Sequence, residues 1–255
     1  MRRSCKHVLA SAALALAALT STGAATHADD KLSFMTNWTA EAEHGGFYQA
    51  VAAGIYKKYG LDVTLRQGGP STNTAQMLAA GAIDLRMGSN TGVALNYVKE
   101  GVPALVVAAM FQKEPSILMA HPGAGNDSLA VLKGKPIMIS RATIDTWWRF
   151  LVAKFGYSDD QIRPYNFNNG PFLLDKNLVQ QGYVTSEPFA VEKEGKFKPV
   201  IFLLADDGGY SSYSSTIETT TKLVAEKPDV VQRFVNASIE GWYSYLYAIR
   251  RRPMR

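Results

Sequence analysis

From residue 31 onward the chain alternates between short runs of period two and longer runs of period 3.6, and most of the longer runs end at a glycine. Phe47, Val51 and Ile55 fall on one helical face, and Gly60 follows Lys57 and Lys58 as a helix-ending residue. Leu61, Val63 and Leu65 then alternate as a strand, and Gly68, Gly69 and Pro70 turn the chain. The pattern predicts a helix over 72–80 closed by Gly81, a strand over 83–87, a helix over 90–99 closed by Gly101, and a strand over 104–109. Strand, helix and strand in this rhythm predict a parallel sheet with helices on both faces, an α/β architecture.

A second unit of the same kind is expected from Glu114 and Pro115. Strands are predicted over 117–120, 136–140, 163–167, 183–185 and 199–204, with helices over 128–135, 143–155 and 176–181. The glycine- and serine-rich stretch ADDGGYSSYSS, residues 205–215, is expected to cross back to the first unit, and 228–246 forms an amphipathic helix there. AQMLAAGAIDLRMGSN in the first unit is echoed by NLVQQGYVTSEPF in the second, each interpreted as helix, glycine, strand and polar loop. Ligands of open α/β sheets bind beyond the carboxyl ends of strands. The echo therefore puts Ser89 and Asn90 opposite Ser186 and Glu187 across a cleft.

The two ends of the chain need separate treatment. Residues 1–28 have a basic start, a short apolar run and small residues before Asp29, the pattern of a secretory signal. With it go Cys5, the single cysteine, and His7 and His27, leaving His44 and His121 as histidines. A thiolate metal site, a disulfide and a cysteine nucleophile are thereby excluded from the mature chain, and no close histidine pair suggests a metal. Of 27 basic residues against 22 acidic, three lie in the signal and Arg250, Arg251, Arg252 and Arg255 crowd the last six positions; the body between carries 20 against 22. No basic stripe favours nucleic acid, and no apolar run beyond the signal suggests membrane insertion. The terminal AIRRRPMR is what a shifted reading frame of GC-rich DNA would yield, so a frameshift that truncates the first unit is expected, with exposed apolar surface and aggregation as its consequence.

Aromatic residues and amides cluster at predicted strand ends: Trp38, Phe111, Trp147, Phe167 and Tyr210, with Asn37, Asn90, Asn168, Glu187 and Asp207 beside them. Flat side chains stack on a flat ligand, while amides and carboxylates complement its edges. Of Trp147 and Trp148, at least one is expected in the core. Glu41 and Glu43 are expected in solvent. His44, before Gly45 and Gly46, is expected to donate into the cleft, and the two glycines to let the helix start close to a ligand. The expected cleft lies between Trp38, Ser89 and Asn90 on one side and Thr143, Trp147 and Glu187 on the other. A small anion is the alternative ligand, for which Arg141 is the available cation.

The segments NWTAEAEHGGFYQAVAAGIYKKYGLDVTL, AAGAIDLRMGSN, SLAVLKGKPI, VTSEPF and KPDVVQRFVNASIEGW resemble the periplasmic solute-binding proteins of bacterial ABC transporters. They are most similar to the thiamine-pyrimidine-synthase-like branch, which includes sulfonate, nitrate and taurine binders. The resemblance implies a type II periplasmic-binding-protein fold, two α/β lobes closing through a two-segment hinge, with lobe one over 29–114, lobe two over 115–204, and a return to lobe one over 205–255 that is cut short. It implies a small-molecule ligand, a thiamine pyrimidine precursor or related heterocycle, with sulfonate, taurine or nitrate as the alternative. It further implies permease and ATPase subunits as partners, a monomer, a periplasmic location and no cofactor. Residue by residue, it assigns Asn37 and Trp38 to the pyrimidine site, His44 to the following helix start and Glu187 to the pyrimidine edge; Tyr210 joins the expected ligand set from the crossover. The eukaryotic synthase of the group uses a cysteine-rich motif; ADDGGYSSYSSTIETTT has no cysteine in that region, so synthase activity is not expected.

Overall fold

The computed structural model describes residues 28–248. The signal-like segment and the arginine-rich tail expected from the sequence lie outside the described residues. Strands β1 (Asp30–Met35), β2 (Leu61–Arg66), β3 (Leu85–Asn90), β4 (Ala104–Phe111) and β10 (Ser214–Thr220) form one five-stranded sheet in the order β2-β1-β3-β10-β4. Strands β5 (Ser116–Ala120), β6 (Ile137–Ile139), β7 (Ile162–Pro164), β8 (Val179–Tyr183) and β9 (Val200–Leu203) form a second, in the order β7-β6-β8-β5-β9.

The two orders coincide when β6, β7, β8 and β9 are matched to β1, β2, β3 and β4, and β5 to β10. Each sheet holds one strand that runs against its neighbours: β10 is antiparallel to β3 and β4, and β5 to β8 and β9. Both are the first strand after the chain changes sheet. The parallel sheets expected from the sequence are thus mixed, because a strand arriving from the other lobe enters from the opposite end. Two connections, residues 112–115 and 204–213, join the lobes, and an ion pair between Lys113 and Asp206 ties one to the other.

Several elements differ from the sequence expectation for local reasons. Residues 176–181 are not helical: the helix lies earlier, at Gly170–Leu174, and Val179–Tyr183 is a central strand buried along most of its length. The expected echo with residues 75–90 is therefore one of position at the strand ends, not of matching helices. The first helix, α1 (Gly45–Ala52), stops at Gly54, which takes a left-handed φ of 67°, and a single turn follows at Ile55–Lys58. Its inner face is Phe47 and Ala50, while Val51 is exposed. Gly45 and Gly46 serve packing: a Cβ at Gly45 would lie 2.2 Å from the Tyr245 ring, and one at Gly46 would lie 2.2 Å from Trp242. Both rings belong to the long helix α7 (Pro228–Ala248; α2–α6 are given with the site below), so the glycine pair admits this helix against α1. Beneath it the Phe34 ring meets Phe47 and Phe234, with centroids 4.8 and 5.1 Å away.

Candidate functional site

Because β1 and β3 are parallel, their carboxyl ends open at the same edge of the first sheet, and β6 and β8 do the same in the second. The two edges face each other. Between them lies a cleft with about 490 Å³ of space free of atoms, part of it open to solvent. Asn37, Trp38, Glu41, Glu43, His44, Ser89 and Asn90 line it from the first lobe. Ser116, Ser140, Ala142, Thr143, Trp147, Gln181, Gly182, Tyr183 and Glu187 line it from the second.

The first-lobe wall is a closed hydrogen-bond chain. Asn37 Nδ2 donates to Ser89 Oγ at 2.8 Å, and Asn37 Oδ1 lies 3.1 Å from His44 Nε2. The Glu41 amide donates to His44 Nδ1 at 3.1 Å. Nδ1 is therefore an acceptor and Nε2 carries the proton, which it gives to Asn37. Burial holds the imidazole pKa below its ordinary value, consistent with this neutral tautomer. His44 does not donate into the cleft as expected; both of its nitrogens are used in fixing Asn37. Asn90 is likewise occupied: its Oδ1 caps the helix α3 (Thr91–Glu100, after α2 at Thr74–Ala79) by accepting from the Gly92 amide at 3.0 Å.

The second wall is built around a distorted helix start. The chain over Ile144–Trp148 forms a wide turn in which Thr146 leaves helical geometry, before the regular helix α4 (Arg149–Phe155). This turn brings both Thr143 and Trp147 to the cleft. Trp147 is 1% exposed and also packs in the lobe-two core, while Trp148 is wholly core, its indole N–H given to Asp159 at 2.8 Å. The Ser140 amide donates to Gln181 Oε1 at 2.6 Å. The Gln181 Nε2 group donates to no protein atom among the described residues. Tyr210 stands behind the wall instead of in it, its ring against Phe150 and its hydroxyl 3.4 Å from Asn90 Oδ1. Arg141 is exposed and is not among the lining residues.

The sequence reading missed the acidic character of the site. Glu43, expected in solvent, is 2% exposed, and its Oε2 accepts from Thr185 Oγ1 at 2.9 Å and Ser186 Oγ at 2.7 Å, both in the other lobe. Glu187 opens the helix α6 (Glu187–Gly195, which follows α5 at Gly170–Leu174) and accepts the Tyr183 amide at 2.7 Å, with the Tyr165 hydroxyl 3.3 Å away. Burial raises its pKa to about 7, against the effect of the Tyr183 amide. Glu41, half-buried, is pushed up to about 10 by burial and then by the charges of Glu187 and Glu43. The available signal was the spacing: Glu41, Glu43 and His44 sit on one tight turn directly after β1, where a single turn aims all three at the strand-end cleft. Trp38 also reaches across the lobes, its ring 6.1 Å from and nearly parallel to Tyr165 and edge-on to Phe167.

Two lobes of matched topology, two connections and a cleft at the facing strand ends define a two-lobed binding-protein fold. The chain belongs to the NMT1/THI5 like family, which it matches over residues 41–248. It is 25% identical over 202 residues to the riboflavin-binding protein RibY of Chloroflexus aurantiacus, an alignment covering 76% of this chain and 56% of RibY. Over 56 residues it is 32% identical to the 4-amino-5-hydroxymethyl-2-methylpyrimidine phosphate synthase of Aspergillus parasiticus, covering 22% of this chain and 16% of that one. The chain thus spans little more than half the length of the first of these relatives and far less of the second. Among solved structures it superposes on the periplasmic aliphatic sulphonate binding protein SsuA of Escherichia coli with a TM-score of 0.63 at 12% identity, covering 87% of this chain and 71% of that one. At that identity the likeness concerns the fold.

Proposed function

We propose that the chain is the extracytoplasmic ligand-binding component of an ABC importer, and that it closes on a small, flat heterocycle rich in hydrogen-bond donors, such as a thiamine pyrimidine precursor. The observation that carries this reading is the charge of the cleft. Among the described residues, three carboxyl side chains line it and no lysine or arginine does. A carboxylate beside an exocyclic amine and a ring nitrogen accepts from one and, when protonated, donates to the other. An anion would meet Glu41, Glu43 and Glu187 with no cation to offset them, which costs binding free energy.

The aromatic residues supply the rest. Trp38 and Trp147 flank the cleft from opposite lobes, where stacking adds about 0.5–1.5 kcal/mol beyond area burial. The free Gln181 amide is a donor for a ring nitrogen or carbonyl. RibY, whose name specifies another flat heterocycle, is a relative over most of this chain. Both His44 nitrogens are engaged within the protein, which suits a group that shapes a binding wall.

Calorimetric titration with 4-amino-5-hydroxymethyl-2-methylpyrimidine, riboflavin, taurine and nitrate tests the assignment. Saturable binding of a heterocycle is expected, with quenching of tryptophan fluorescence. Glu187→Gln should weaken an aminopyrimidine about 10- to 100-fold, the worth of a hydrogen bond to a charged group. Binding of taurine or nitrate with neither heterocycle bound would overturn the reading in favour of an anion.

A further inference from the structure

Glu41 and Glu43 belong to the first lobe and Glu187 to the second, so the three carboxyls become neighbours only when the lobes are together. Glu43 also joins the lobes, through Thr185 and Ser186, beside the Trp38 ring that meets Tyr165. We propose that closure of the lobes is charge-gated through Glu43: the contact that latches the lobes also assembles a three-carboxyl cage, which closes only on taking up a positive charge. In the empty cleft that charge is a proton from solvent; in the occupied cleft it is a protonated nitrogen of the ligand. This rests on the reading of the cleft as the ligand site and adds to it the form of ligand selected.

Among the described residues, the surroundings of the cage contain nothing that would replace that charge. From the first lobe it faces His44, neutral and with both nitrogens used. From the second it faces the Tyr165 and Tyr183 side chains, with Glu194 beyond Tyr165 and Glu114 beyond Tyr183, both of the same sign as the cage. Glu43 and Glu187 are each nearly inaccessible to solvent. Like charges brought together out of water favour the protonated form. The directions at Glu187 and Glu41 agree: both are raised in the closed arrangement. The part of each shift that comes from the opposite lobe, the charge of Glu187 acting on Glu41 and that of Glu43 acting on Glu187, is lost when the lobes part, so the closed state binds more protons than the open one. Closure without ligand is therefore favoured at low pH and weakens as pH rises, the Glu187 share being lost through about 7 and the Glu41 share through about 10.

X-ray scattering of the ligand-free chain from pH 5 to 8.5 tests this directly. The radius of gyration should be smaller at the acid end and grow across neutrality. Glu43→Gln and Glu187→Gln each remove one charge and keep an acceptor, so both should stay compact throughout; Glu43→Ala loses the latch and should stay expanded. An unchanging radius for the wild-type chain, or a wild-type pH profile in both glutamine variants, overturns the proposal. A second arm needs no variant. At pH 8, a 4-aminopyrimidine with a cationic 5-aminomethyl group should compact the chain at about tenfold lower concentration than its neutral 5-hydroxymethyl counterpart; equal potency overturns it. Acid-induced compaction with no response to either pyrimidine would leave the gate standing and remove the heterocycle reading. Heterocycle binding by a chain of pH-independent shape would do the reverse.

Discussion

Strands β5 and β10 occupy the same place in their respective sheets and are made of opposite materials. In β5, SILMA, the residues Ile117, Leu118, Met119 and Ala120 are all fully buried. In β10, SSTIETT, the residues Ser214, Ser215, Thr216, Glu218 and Thr219 are buried just as completely. Lobe two fills the slot with hydrocarbon, whereas lobe one fills it with a polar network. Glu218 Oε2 takes Arg86 Nη1 and the Tyr97 hydroxyl, each at 2.5 Å, and its Oε1 takes the Thr216 hydroxyl at 2.8 Å. Arg86 Nε donates to Thr74 at 2.9 Å. The network joins β3, β10, α2 and α3, so the returning strand is selected by specific partners and not by hydrophobicity alone. The same topology tolerates either solution, but the polar one loses more with a single member, because the partner left behind is a buried charge.

Mutation should expose that difference. Glu218→Ala leaves a buried guanidinium without its partner and should cost about 4 kcal/mol. Leu118→Ala at the matching place in lobe two should cost about 3 kcal/mol through transfer and cavity terms. Urea melts decide the order; a smaller loss at Glu218 than at Leu118 breaks the comparison. Replacing both partners, Arg86→Met with Glu218→Leu, should recover most of the loss, which no second change offers at Leu118.

Two buried carboxyls sharpen the contrast. Glu218 is fully partnered, but Glu114, just before β5, uses Oε1 for the Ser116 amide and hydroxyl and leaves Oε2 without a partner. Burial raises the Glu114 pKa to about 7. Its folded pKa lies above the unfolded value, so its contribution favours folding at low pH and is lost as pH rises through about 7. Glu114→Gln should therefore stabilise the chain by an amount on the order of 2 kcal/mol at pH 8, with the gain fading toward pH 4.5. Thermal melts across that range check it, and a gain independent of pH would rule out ionisation as its source.

The smallest effect concerns the helices that follow β3 and β8. Asn90 caps its helix, but the Ser186 hydroxyl reaches across to Glu43 instead of capping α6. Asn90→Ala should cost about 1 kcal/mol. Ser186→Ala should change stability by less than about 0.5 kcal/mol and appear instead in ligand affinity, as titration of both variants would show.

This contrast also explains what the sequence made legible. β5 could be read because its apolar run announces burial. β10 could not, because serine, threonine and glutamate give no periodic signal when their burial depends on an arginine 132 residues away. The error at residues 176–181 has a similar origin: in NLVQQGY the buried strand residues include Gln180 and Gln181, which read as a polar helix face. At the site, Asn37, Trp38, His44, Ser89, Asn90, Thr143, Trp147 and Glu187 converge on one cleft, since strand-end position is encoded locally. Glu41 and Glu43 were misplaced because their burial comes from the opposite lobe, which no local pattern reports. Gly45 and Gly46 were assigned to a ligand for the same reason; the rings they admit lie about 200 positions away.

The placement of β10 has a consequence for the order in which the protein is made. β5 to β9 are contiguous, so every strand of lobe two is synthesised, and emerges, before β10. Lobe one, by contrast, begins first and finishes last. Until Ser214–Thr220 emerges, β3 and β4 have no strand between them, and each carries an unpaired edge. During that interval the nascent chain should be most exposed to mispairing and most in need of a holding chaperone. Pulse-labelled hydrogen exchange on stalled chains should find β5, β6 and β8 protected while β3 and β4 still exchange.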